Sequence, residues 1–90
     1  MALILTLKEG EKFYVDDDPI RIKKVYSGDH AVVETSDGRL VDVMDDRMVE
    51  VLDDVLVSLG LSYQSGWARV VIEAPKEKLI LREKNYGRRE

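Results

Sequence analysis

The sequence predicts a mainly β domain carrying one α-helix. Three observations lead there. Runs rich in β-branched and aromatic residues recur between Gly, Asp, Ser and Pro. The dipeptide Asp37–Gly38 separates two such runs as a hairpin turn does. The stretch "DDRMVEVLDDVLVSLG", Asp45 to Gly60, carries apolar residues at helical spacing.

Strands are expected near residues 2–8, 11–15, 19–26, 30–35, 39–43, 67–73 and 77–82. In the first, Leu3, Leu5 and Leu7 share one side while Ala2 and Ile4 fill the other, so the strand has no polar face. Both faces need cover, and in so short a chain a second copy is expected to supply it. The second and third strands flank Asp16–Asp18, which lacks the alternating ligands and distal Glu of a calcium loop and is expected to be a solvated turn. The next two flank Asp-Gly, whose central positions both tolerate positive φ. The helix is placed at 46–59: Met48, Val49, Val51, Leu52, Val55, Leu56 and Leu59 fall in one arc, with Arg47, Glu50, Asp53, Asp54 and Ser58 opposite. Asp45 or Asp46 would cap its start and Gly60 would end it. The last two strands follow Trp67 and the "APKE" loop. An internal echo runs through "AVVETSDGRLVDV" and "VVIEAPKEKLILR", with Glu34 opposite Glu73 and Leu40 opposite Leu79 at a constant offset of 39.

Ninety residues with net charge −4 describe one domain, spanning 1–90. No run of the chain has the length of a membrane span or a signal peptide, and a cytoplasmic protein is expected. No cysteine is present, which removes disulfides and thiolate chemistry, and the single histidine, His30, leaves no pair for a metal site. His30 is expected on a hairpin surface; Trp67, Tyr14, Tyr26, Tyr63 and Tyr86 are candidates for base stacking, with Trp67, which begins a strand beside a Gly, expected instead to seal a core edge. The charge is uneven: residues 1–28 balance to 0, residues 29–64 carry −7 and residues 65–90 carry +3. A basic surface can therefore be built from the two ends of an acidic chain.

Those two ends carry a resemblance. "LILTLKEGEKFYV" (Leu3 to Val15), the strand "IRIKKVYSG", and "ARVVIEAPKEKLILRE" (Ala68 to Glu83) resemble the carbon storage regulator family of small bacterial RNA-binding proteins, with the stretch at about 29–64 as an insertion. The resemblance implies a small interlocked β-sheet homodimer in which the first and last strands are exchanged between protomers, here with an inserted α-helix. It implies a post-transcriptional regulator that recognises GGA in hairpin loops of messenger RNA leaders and controls translation or message stability. Neither catalysis nor a cofactor is implied.

Carried over by position, the RNA site comprises Leu5, Thr6, Leu7 and Lys8 on the first strand, with Ala74, Pro75, Lys76, Ile80, Leu81 and Arg82 from the other protomer. Arg82 is the leading candidate for base contact, because a planar guanidinium can bond a base edge bidentately or stack on it. Lys8 and Lys76 are expected at phosphates. Leu7 and Lys8 stand where the family commonly has two arginines, so one cation per site is missing, and the family's C-terminal helix is absent from "EKNYGRRE". The alternative is a protein-interaction module of the same fold with weakened RNA binding, which engages a basic partner through the acidic helix at 46–59 or forms mixed dimers with a family member.

Overall fold

The structure is a computed structural model that describes residues 2–60 and 65–82. Among the described residues nine strands follow one another: β1 (Ala2–Lys8), β2 (Lys12–Val15), β3 (Asp18–Ser27), β4 (His30–Glu34), β5 (Leu40–Met44), β6 (Val49–Leu52), β7 (Val55–Gly60), β8 (Trp67–Glu73) and β9 (Ile80–Arg82). They form two antiparallel sheets, ordered β1-β8-β7-β6 and β5-β4-β3-β2-β9.

Alternation decides which residues meet between the sheets. From the first sheet come Leu5 and Leu7, Ala68, Val70 and Ile72, and Val51, Val55, Val57 and Leu59. Phe13, Val15, Ile20, Ile22, Ala31, Val33 and Val43 of the second complete the core. At roughly 1.5–3 kcal/mol for each fully buried large side chain, this shared interior is what holds the sheets together.

The expected helix at 46–59 is overturned. Its sequence forms the hairpin β6–β7, with Leu52 opposite Val55 and Asp53–Asp54 as the turn. Both periods were present, because apolar residues crowd this stretch. Three features favour period 2: the buried positions Val55, Val57 and Leu59 alternate along β7, four valines (Val49, Val51, Val55 and Val57) are β-branched, and Asp54 takes φ of 64° at the turn. A strand there also gains a ladder, since β7 pairs with β8 from Leu56↔Glu73 to Gly60↔Arg69. No α-helix exists among the described residues. The tail at 83–90, expected to lack a helix, lies outside the described residues, as do Tyr63 and Tyr86.

The strand-exchanged arrangement is overturned as well. β1 pairs along its whole length with β8 of its own chain, Ala2↔Glu73 through Lys8↔Trp67. β9 pairs with β2, Val15↔Ile80 through Phe13↔Arg82. The cover for the leucine face of β1 is therefore internal, while Ile4 on the opposite face stays 50% exposed. The stretch at 29–64 supplies β4, β5, β6 and β7, with β4 and β7 inside their sheets.

The echo at offset 39 acquires a structural meaning. β2-β3-β4 and β6-β7-β8 are two three-stranded meanders, one in each sheet, and each is followed by a further strand, β5 or β9. The followers diverge. Thr35 N–H donates to Arg39 O at 2.9 Å, Gly38 N–H donates to Thr35 O at 3.0 Å and Gly38 takes φ of 89°, which closes a tight hairpin and lays β5 beside β4. Only Gly38, not Asp37, has positive φ, so the turn is the three-residue type with a glycine bulge rather than the expected two-residue turn. At offset 39 the closing residues Thr35, Ser36 and Gly38 become Ala74, Pro75 and Glu77. Two of these weigh against repeating the turn: Ala74 has no hydroxyl, and Glu77 disfavours the positive φ that Gly38 supplies. β9 accordingly leaves its own sheet and pairs with β2 of the other.

Candidate nucleic-acid interface

β1 and β9 are edge strands of different sheets, and they meet at one corner of the sandwich. Arg82 Nη1 donates to the carbonyl of Thr6 at 2.9 Å, which ties the end of β9 to the middle of β1. Because β9 pairs with β2 so that Arg82 is opposite Phe13, its side chain starts on the inward row and reaches β1 along the seam. A guanidinium has five N–H donors.

The loop between β8 and β9 is held firmly. Lys78 N–H donates to Pro75 O at 3.0 Å and closes a turn over Lys76 and Glu77. Asp16 clamps it from the β2–β3 turn: its N–H donates to Leu79 O at 2.7 Å, and its Oδ1 accepts from Leu79 N–H at 3.0 Å. Lys78 Nζ lies 4.0 Å from the second carboxylate oxygen. Asp16 can do this because it takes φ of 54°, a conformation that Asp tolerates better than most residues. The sequence reading missed this role and left Asp16 in a solvated turn.

The candidate residues divide by environment. Leu5 and Leu7 are 8% and 2% exposed, with side chains that point into the core and not toward an RNA. Ala74 and Ile80 pack against the core, Pro75 and Leu81 are partly buried, and Lys76 is exposed. Thr6 and Lys8 belong to the outward row of β1, where their cross-strand partners are Arg69 and Trp67. Lys8 Nζ sits 5.6 Å from the centre of the Trp67 ring.

The free edge of β1 is partly occupied. Thr6 O is taken by Arg82, Lys8 N–H donates to Glu11 Oε1 at 2.7 Å and Glu11 N–H donates to Lys8 O at 3.0 Å. In an antiparallel ladder alternate residues direct their backbone groups away from the partner. Thr6 and Lys8 therefore mark the outward set, to which Ile4 belongs. Its N–H and C=O point out beside the Arg82 seam.

A second cleft of about 270 Å³ lies on the other sheet, lined by Lys12, Pro19, Arg21, Glu34, Thr35, Ser36 and Gly38. Arg21 Nη1 is drawn to Gly10 O at 2.7 Å, and Lys23 pairs with Glu34 at 3.9 Å. His30 lies at a hairpin with Asp42 at 3.0 Å and the Tyr26 ring stacked at 4.9 Å. Among the described residues no cluster of His, Asp or Glu could hold a metal ion, and no helix is long and apolar enough to cross a membrane.

Comparison with protein-family models finds no match to this chain, and neither do comparisons with curated proteins and with solved structures.

Proposed function

We propose that the chain is an RNA-binding post-transcriptional regulator of the carbon storage regulator type, recognising GGA in hairpin loops of message leaders through the β1–β9 corner. The observation that carries this reading is the Arg82–Thr6 seam. First and last strands, which the resemblance draws from two protomers, meet here within one chain, with the guanidinium 2.9 Å from the β1 backbone. Such a role places the protein in the cytoplasm.

The chemistry follows from the parts. Outward backbone groups at Ile4 offer a donor and an acceptor to base edges, as an edge strand does. Arg82, oriented by Thr6, presents its remaining N–H groups toward a guanine edge, for which a guanidinium is well matched. Lys8 and Lys76 neutralise phosphates. The turn at Pro75–Lys78, clamped by Asp16, is ordered before RNA arrives, so less entropy is lost on binding.

Topology sets the number of sites. In the first meander nothing corresponds to β1: the place beside β4 is filled by β5. One composite site per chain is expected, hence one RNA per chain by titration monitored with calorimetry. Arg82→Ala should weaken binding of a GGA-loop hairpin by about 1–3 kcal/mol and narrow its advantage over a scrambled-loop control. Lys8→Ala should weaken both RNAs alike and lower the salt slope by about one. Equal binding of both hairpins by the wild-type protein, or none, would overturn the proposal. The alternative of a basic protein partner would have to use the acidic residues of the β6–β7 hairpin and not a helix.

A further inference from the structure

Trp67 is the one tryptophan in the sequence, and the core does not use its side chain position. Inward positions of β8 are Ala68, Val70 and Ile72, all buried; Trp67 lies on the opposite, outward row and is half-buried. Its nearest cross-strand neighbours on that face are polar. Lys8 is directly across from it on β1, with Nζ 5.6 Å from the ring centre, and the next pair along the same face is Thr6 and Arg69. Two cations, one hydroxyl and one indole thus share a face beside the edge strand that carries the Arg82 seam.

We propose that Trp67 is a base-stacking platform that extends the strand-edge RNA site, with Lys8 and Arg69 contacting the flanking phosphates. The proposal rests on the RNA-binding reading and adds a residue to it. Lys8 and Thr6 are two positions apart on β1, about 7 Å in a strand, so a base on Trp67 lies within one or two nucleotides of a base at Arg82. An indole face attracts a base as readily as it attracts the ammonium now above it. When a base takes that face, Lys8 Nζ is displaced toward the phosphate linking it to its neighbour. Stacking is indifferent to base identity, so Trp67 supplies affinity and Arg82 discrimination.

The indole is its own reporter. Titrating the wild-type protein with a GGA-loop RNA hairpin and following Trp67 emission should show quenching that saturates with the binding isotherm. Trp67→Phe, which keeps an aromatic face, should bind within about threefold of wild type, and Trp67→Leu, which keeps apolar volume without that face, should bind about tenfold more weakly. The scrambled-loop control should lose as much, since the platform does not read sequence. Binding measured by an independent method such as gel shift, with unchanged emission and with Trp67→Leu as tight as wild type, overturns the platform while leaving the RNA-binding reading in place. Absence of binding by the wild type overturns both. Circular dichroism of each variant checks its fold.

Discussion

Arg82 and Arg39 hold opposite corners of the sandwich in the same way. Arg82 bonds Thr6 O at 2.9 Å, and Arg39 Nη2 bonds Val51 O at 3.0 Å, each reaching a backbone carbonyl on an edge strand of the other sheet. Both were visible as cations, but only the fold could show that each has a carbonyl to serve. Leu7 was open to a similar misjudgement. At the position of a family arginine it invites Leu7→Arg as a gain of cation, yet the side chain is 2% exposed. Leu7→Arg should instead destabilise the fold by about 3 kcal/mol or more, read as a lowered urea midpoint, because a buried guanidinium there has no carboxylate. Asp37 gives a residue-scale test by pH. The Thr35 hydroxyl donates to its carboxylate, and this bond holds the Asp37 pKa below the ordinary value, with the Arg39 N–H and charge adding to it. A depressed folded pKa stabilises the turn above the unfolded pKa, and that contribution is lost as pH falls through the folded value. Carbon-detected titration should find Asp37 protonating below the ordinary aspartate value.

Between elements, the contest was helix against hairpin at 45–60. Helical periodicity and strand alternation both suit a segment this rich in Val and Leu, so pattern alone could not separate them. Asp53–Asp54 decides locally, as a turn that returns the chain, and the ladder with β8 decides globally. The sign of one substitution distinguishes the two. Asp54 has φ of 64°, so Asp54→Gly relieves a left-handed backbone and should raise stability by about 0.5–1 kcal/mol in thermal melts; in a helix the same change would lower it by a similar amount. The hairpin at Thr35–Arg39 was legible because Asp-Gly is a local signal. Its turn type was not, since that depends on which residue takes positive φ, and Gly38 alone does.

At the scale of the whole molecule, two meanders in two sheets are sealed by strands from outside each: β1 completes the sheet of the second meander, and β9 completes that of the first. The middle of the chain is therefore structural. Replacing 29–64 by a short turn would delete Val33, Val43, Val51, Val55, Val57 and Leu59 from the core, and β7 from between β6 and β8. That variant should be unfolded by circular dichroism and by amide dispersion in NMR; a folded product would refute the sandwich. Strand exchange is not required to cover β1, whose leucine face is buried within its own chain.

From the sequence by itself follow the positions of most strands, the alternation that buries Leu5, Phe13, Val33 and Val70, the Asp-Gly hairpin and the echo at offset 39. These rest on interactions within a few residues, so local pattern suffices to encode them. Candidate residues at the two ends were legible for the same reason, as short motifs. Partners were not. Whether β1 meets β8 of its own chain or of another, whether residues 46–59 coil or pair, which side of β8 Trp67 takes in company with Lys8, and that Asp16 clamps Leu79 across 63 positions are settled only when distant strands are in register. The physical reason is that a strand's edge groups and one of its faces are satisfied by residues remote in sequence, so its neighbours are chosen by the whole sheet rather than by the strand.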